Sequence, residues 1–159
     1  MSQEIADSVR GRARVVAVSD AFRLAPWADA MFASDRAWWT ANPDAIEFAG
    51  QKFSGMKVQG VSTFKPAFPQ RLGCNSGLVA CMLAESLGAT KIILLGFDLN
   101  GEHYFGEHPP VLKKTSPARF HGMRIEFSKW KHRAHVVNAT PHSHLQAFPA
   151  TTLEAALCH

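Results

Sequence analysis

Histidine is concentrated in the second half of the chain, where imidazole side chains can serve acid–base or metal chemistry. All eight histidines lie in the range 103–159. With an unperturbed pKa of about 6.5, a histidine can accept a proton at neutral pH and act as a general base. His142 and His144 form an H-x-H pair that His103, His108 or Asp98 could complete as a metal site. A zinc site needs several converging ligands, however, and this spacing matches no strong metal motif. No metal site is therefore predicted, and ordinary surface or capping histidines remain the alternative.

A second group of candidate residues lies where a helix is predicted to begin. Segment 73–77 reads GCNSG and precedes apolar residues at helical spacing, which stop before Gly88. A glycine beside a helix N-terminus lets a ligand approach unpaired backbone N–H groups, and the helix dipole there favours phosphate or carboxylate. Asn75, Ser76 and Gly77 are therefore candidate anion-binding residues. The alternative is that Asn75 or Ser76 serves only as the N-cap.

The next predicted strand is followed by two more candidates. Residues 91–95, KIILL, form the clearest strand of the chain, and Gly96, Phe97 and Asp98 come directly after it. Because ligands of open α/β sheets bind at the carboxyl ends of the strands, Gly96 and Asp98 are candidate site residues. Gly96 as an ordinary turn residue is the alternative. The long segment 101–116 that follows is either a binding loop or a solvated connection.

Apolar patterning predicts the elements that would position these residues. Short apolar runs bounded by polar residues or glycine indicate strands, and apolar residues at helical spacing indicate helices. A helix followed by a continuously apolar strand is typical of a parallel β-α-β unit, so the sequence predicts an α/β fold with a mostly parallel sheet. The predicted strands are 13–19, 29–34, one or two weaker ones at a sheet edge within 46–64, 91–95 and 135–138. The first predicted helix carries Trp38 and Trp39, the second begins at residue 75 and ends at Gly88, the third begins at Ser116-Pro117, and the last lies near 151–157.

Length and composition indicate one packed domain over residues 1–159. Hydrophobic residues make up 47% of the chain and charged residues 19%, a balance that favours a globular core over disorder. The net charge of +4 suits an anionic ligand, but the basic residues are scattered, so nucleic acid is not an expected partner. The three cysteines form no CxxC pair, which suits a reducing compartment. No apolar stretch reaches the roughly 20 residues of a membrane span, so a cytoplasmic protein is expected.

Five segments together resemble a known group of proteins. They are the apolar strand that ends in Ser-Asp, the DAMFASD strand, the N-S-G helix start, the KIILLGFD strand and the VVNATP segment. This order is similar to small phage and prophage proteins of a wider group, which includes motility-accessory proteins and bacterial sialyltransferases that use a cytidine-monophosphate sugar donor. The resemblance covers about residues 11–157 and is most specific over 75–98. It implies a Rossmann-like, three-layer domain that binds a nucleotide.

The resemblance also assigns roles to individual residues. Ser76 and Gly77 would contact the donor nucleotide or sugar, Asp98 would shape the site, and His121 is the nearest match to the general base of the sialyltransferases. Ser19 and Ser34 stand where those enzymes place donor-contacting asparagines. A serine has a shorter reach than asparagine and lacks the amide's simultaneous donor and acceptor, so this part of the site departs from the family pattern.

A further departure concerns the first strand of the family. Relatives begin with a strand and a glycine-rich loop before the segment equivalent to residues 2–4, and this sequence starts just past that loop. The resemblance therefore implies either a shortened protein or a start codon assigned too far downstream. A parallel sheet without that strand has an open edge that favours pairing, so a homo-oligomer is expected.

The sequence thus predicts a nucleotide or nucleotide-sugar binding domain, with a cytidine nucleotide as the expected ligand and sialyltransferase-like glycosyl transfer as the expected activity. The alternative is a degenerate, non-catalytic phage-related module for binding or assembly. The two hypotheses differ at one point, because an enzyme requires Ser76, Asp98 and His121 to converge on one open pocket.

Overall fold

The computed structural model of the chain describes residues 2–66, 75–100 and 115–158. It is an α/β structure whose paired strands all run parallel to their neighbours within the described residues. By internal packing the described chain divides into two compact units, a first unit of residues 2–66 and 75–80 and a second unit of 81–100 and 115–158. Whether they form the single domain expected from the sequence stays a prediction.

The first unit is built on a four-stranded parallel sheet in the order β1-β2-β3-β4. The register aligns the strand ends, since Val18 lies opposite Phe32, Phe32 lies opposite Phe53, and Ser54 lies opposite Thr63. Two 3₁₀ helices, Ser19–Arg23 and Pro43–Glu47, connect the elements. The elements are helix α1 (Gln3–Ser8), β1 (Val16–Val18), β2 (Ala30–Ala33), helix α2 (Arg36–Ala41), β3 (Gln51–Ser54) and β4 (Ser62–Thr63).

The core of the first unit lies around β2 and the two tryptophans of α2. All four residues of β2 are buried, as expected for an apolar strand paired on both sides. Trp38 and Trp39 pack edge to face with ring centroids 5.2 Å apart. Their indole N–H groups donate to Asp20 Oδ1 and to the carbonyl of Ala33, each at 3.1 Å. Both tryptophans are therefore core residues.

Helix α3 (Ser76–Ser86) begins in the first unit, and the boundary between the units falls within it. The second unit then contains a parallel pair of strands, β5 and β6, joined through a helix. Its core includes Phe127, whose ring packs edge to face against Phe97 and Phe148 at centroid distances of 5.8 and 6.0 Å. The elements are β5 (Lys91–Leu94), helix α4 (Pro117–Lys129), β6 (His135–Asn138) and helix α5 (Leu153–Leu157).

Near the end of α3, a carboxylate ties the helix to the segment before β6. Glu85 Oε1 accepts hydrogen bonds from the backbone N–H of Ala134, at 2.8 Å, and from that of Arg133. Burial alone would raise the pKa of Glu85, but these two donors stabilise the charged form and hold its pKa below the ordinary value of 4.5. The charged carboxylate therefore stabilises the folded state.

Glu85→Gln is expected to lower the urea midpoint at pH 7, and this difference should shrink as the pH falls below 4.5. A carboxyl group with a depressed folded pKa adds stability above its unfolded pKa, and that contribution is lost as both states become protonated. Urea titrations of the wild type and the variant at pH 7 and pH 3 measure the difference. Glu47→Gln, at an exposed residue, is the control. If the midpoint difference is the same at both pH values, the charged form of Glu85 does not stabilise the folded state.

Candidate functional site

The carboxyl ends of the first three strands in the first unit are lined by serines. Ser19 directly follows β1, Ser34 directly follows β2, and Ser54 is the last residue of β3. The register makes these positions neighbours, because Ala33 lies opposite Ser54 and Val18 lies opposite Phe32. We call this set of residues, with the start of α3 described below, the carboxyl edge. Ser19 and Ser34 were expected from the sequence, and Ser54 was not.

Ser19 has an unusual backbone conformation. Its φ angle is 49°, in the left-handed region that residues other than glycine seldom adopt. The strand stops there, and the 3₁₀ helix Ser19–Arg23 begins. Strained residues of this kind persist where the surrounding structure holds them, and they concentrate at functional sites. Ser19 is therefore a fixed polar position at the carboxyl edge.

The start of α3 is hydrogen-bonded to the end of β2. The backbone N–H of Ser34 donates to Ser76 Oγ at 3.1 Å, so two of the predicted site residues are brought together. The Ser76 hydroxyl accepts this bond and keeps its own hydrogen to donate elsewhere. Since α3 has eleven residues, its N-terminus carries a helix dipole that favours an anion. The structure thus places the N-terminus of a helix at the carboxyl ends of parallel strands, where ligands of α/β proteins bind.

Asn75 has two roles at this helix start. Its Oδ1 accepts from the backbone N–H of Leu78 at 3.3 Å. Asn75 is therefore the N-cap of α3, which was one of the two roles that the sequence allowed for it. Its Nδ2, however, is buried and has no hydrogen-bond partner in the part of the chain that the structure describes. The residue is only 4% exposed. A buried N–H group without a partner costs about 1–3 kcal/mol, which an acceptor from a ligand would recover.

The first turn of α3 also offers backbone donors. The N–H of Leu78 bonds to Asn75 Oδ1, and the N–H of Val79 bonds to the carbonyl of Asn75. The first N–H groups of a helix have no partner inside the helix, and within the described ranges those of Ser76 and Gly77 have no other backbone partner. An oxyanion at this point would meet backbone N–H groups and the Ser76 hydroxyl, next to the residue whose buried amide has no described partner. The arrangement suits a phosphate or a carboxylate.

In the second unit, the turn after β5 is tied to the loop after β6. Gly96 has a φ of 78° and acts as a turn residue, the alternative to a role in ligand binding. The N–H of Phe97 donates to Thr140 Oγ1 at 2.9 Å, and the N–H of His144 donates to the carbonyl of Asp98 at 2.9 Å. These bonds hold the backbone of Asp98 beside the loop after β6.

His121 lies on the exposed side of α4, in the same unit as Asp98. No hydrogen bond or ion pair among the described residues joins these two side chains. Ser76 belongs to the first unit, so the convergence of Ser76, Asp98 and His121 on one pocket stays a prediction.

Several other predicted residues lie outside the described part of the chain. They include Gly73 and Cys74 before the helix start, the histidines His103 and His108, and residues 101–114 of the segment 101–116 that was expected to be a binding loop or a solvated connection. Among the residues that are described, no three His, Cys, Asp or Glu side chains come close enough together to hold a metal ion. Burial raises the pKa of the Cys81 thiol to about 12, so this cysteine is not a nucleophile at neutral pH. None of the helices in the described ranges has the length and apolarity to cross a membrane.

Comparisons of the chain with protein-family models, with curated proteins and with solved structures found no match. The chemistry of the site is therefore argued from its own geometry, and the family resemblance stays a prediction.

Proposed function

We propose that the chain is a Rossmann-like domain whose carboxyl edge binds the phosphate of a nucleotide or nucleotide-sugar. The observation that carries the proposal is the buried Nδ2 of Asn75, which has no partner among the described residues and lies at the start of a helix that meets the end of β2. A phosphate oxygen can accept from this amide and from the first N–H groups of α3 together. The resemblance to sialyltransferases favours a cytidine nucleotide.

Glycosyl transfer is the reaction that this proposal implies. In it, the carboxyl edge would hold the donor phosphate, and a general base would take the proton of the acceptor hydroxyl, a role that only the resemblance gives to His121. A non-catalytic module of phage origin is the second candidate, and one observation favours it. By the resemblance, Ser34 stands where the sialyltransferases place a donor-contacting asparagine, and this residue is buried. A shorter, buried side chain has less reach towards a donor, so binding without transfer is the simpler role.

Thermal unfolding in the presence of nucleotides tests the proposal. CMP, UMP, GMP and AMP are added separately to the purified chain, with and without Mg²⁺. A ligand at about a hundred times its dissociation constant stabilises the folded state by about 2.7 kcal/mol, which gives a clear rise in the unfolding midpoint. We expect CMP to raise the midpoint more than the other nucleotides. If none of the four raises it, binding at the carboxyl edge is wrong.

Two variants test whether the nucleotide binds at the start of α3. Ser76→Trp fills the space beside Ser34, and Asn75→Asp keeps the capping oxygen but replaces the amide donor with a charge that repels phosphate. Both are expected to abolish the nucleotide-dependent rise, and the second should do so with the N-cap retained. Ser86→Trp, at the exposed far end of the same helix, is the matched control and should respond to CMP as the wild type does.

A further inference from the structure

A groove of about 500 Å³ lies on the first unit, among residues that the function proposed above does not use. One wall is helix α2 with the 3₁₀ helix that follows it, and the other is the turn 57–60 after β3. Ligand pockets in proteins typically measure about 300–1,000 Å³, so the groove is large enough for a small organic molecule. Both walls follow the carboxyl ends of strands, β2 on one side and β3 on the other.

The apolar surface of the groove is held in place by the core of the unit. Trp39 lines it and is fixed by the hydrogen bond from its indole N–H to the carbonyl of Ala33. Ile46 and Val58 also line it, and both pack against the core cluster around the tryptophans. The turn that carries Val58 is closed by a backbone bond from Val61 to Val58, with Gly60 at a φ of 74°. A preformed apolar surface of this kind suits a flat ligand body.

The charged groups of the groove are both cations. Arg36 and Lys57 line it, and the guanidinium of Arg36 lies within 3.4 Å of the carbonyl oxygen of Lys57, so the two residues lie side by side. None of the described lining residues is acidic, and neither cation forms an ion pair with a described carboxylate. Two neighbouring cations without an anion repel each other, and an anionic group between them would be attracted to both.

We infer that this groove binds an organic anion with a flat apolar body, such as an aromatic carboxylate or sulfonate. The ring of the ligand would lie against the half-buried side chains of Ile46 and Val58, which cover the buried Trp39, and its anionic group would meet Arg36 and Lys57. Thr40 and Gln59 also line the groove and supply a hydroxyl and an amide for further hydrogen bonds. The inference does not depend on nucleotide binding, because it uses none of the residues of the carboxyl edge.

A pair of fluorescent probes tests the inference. 8-Anilinonaphthalene-1-sulfonate carries the anion, and N-phenyl-1-naphthylamine has the same rings without it. Arg36→Gln and Lys57→Gln are each expected to weaken sulfonate binding roughly threefold to tenfold, since each removes one charged partner. They should leave binding of the neutral probe unchanged. Lys65→Gln, at an exposed lysine outside the groove, is the control and should bind both probes as the wild type does.

The position of the bound probe is read from the tryptophan indole signals in a ¹H–¹⁵N spectrum. The signal of Trp39 should move on addition of the sulfonate, and that of Trp130 in the second unit should not. Thr40→Trp should block both probes with the far-ultraviolet circular dichroism unchanged. The inference is overturned if the sulfonate does not bind at about 1 mM, if both glutamine variants bind it as the wild type does, or if Trp130 responds instead of Trp39.

Discussion

Gly50→Ala is expected to lower the free energy of unfolding by about 3 kcal/mol or more. A Cβ atom at position 50 would lie 2.6 Å from the carbonyl oxygens of both Ala28 and Asp29, and 2.7 Å from Cε1 of Phe48. These two carbonyl groups belong to the backbone directly before β2, and the oxygen of Asp29 already accepts from the N–H of Gln51. The added methyl group must therefore push apart the backbone where β2 and β3 begin to pair.

Urea unfolding followed by tryptophan fluorescence measures this effect. Gly122→Ala is the matched control, because a Cβ there would meet only the guanidinium of Arg119 at 3.7 Å, an ordinary contact. Gly122 lies inside α4, where alanine is more favourable than glycine by about 0.5–1 kcal/mol, so the control should be slightly stabilised. A Gly50→Ala protein as stable as the wild type would show that the chain does not approach residues 28 and 29 so closely.

Phe127→Ala is expected to lower the free energy of unfolding of the second unit by about 3–5 kcal/mol. The side chain is 1% exposed and makes edge-to-face contacts with Phe97 and Phe148. Its removal takes away the transfer free energy of the ring, leaves a cavity, and breaks two aromatic contacts that join the turn after β5 to the tail. Trp130, which packs against Phe148, is the fluorescent reporter in this unit.

Ile125→Ala, two residues earlier on the same helix, provides the comparison. Ile125 is 40% exposed, so its truncation should change the free energy of unfolding by less than about 1 kcal/mol. Equal losses for the two variants would mean that Phe127 is not the centre of this core.

The elements with strong local signals were predicted well from the sequence. The strand predicted at 135–138 is confirmed as β6, and the continuously apolar run from residue 91 is confirmed as β5. Helix α4 begins at Pro117 with Ser116 as its N-cap, as its Ser-Pro start indicated. The coarser prediction of an α/β fold with parallel strands is confirmed in the same way.

Elements held by distant contacts were missed or misplaced. Helix α1 was not predicted, and it is only six residues long. Its Gln3 side chain donates to the carbonyl of Leu24, a contact that no local pattern reveals. Strand β3 was expected at a sheet edge because its sequence is mixed, yet it lies between β2 and β4. The partners of a strand depend on the whole chain, so its polarity alone could not place it.

The candidate site was predicted only in part, because some of its contacts join residues that are far apart in the sequence. The capping sequence marked Asn75 and Ser76 as a helix start, and the structure confirms it. The bond between Ser34 and Ser76 joins residues 42 positions apart, so only the fold could reveal it. The groove was missed entirely, since Arg36 and Lys57 are ordinary surface residues until α2 and the turn after β3 come together.

In the four-stranded sheet, the two inner strands are longer than the two outer ones. β2 and β3 each have four residues, whereas the outer strands β1 and β4 have three and two. A short outer strand offers few free N–H and C=O groups, which limits the open-ended addition of strands that leads to aggregates. The left-handed Ser19 ends β1 before it can lengthen. Copies of the chain that met at an outer strand of this sheet could form only a few backbone hydrogen bonds, so a durable contact there would have to draw its strength from side chains instead.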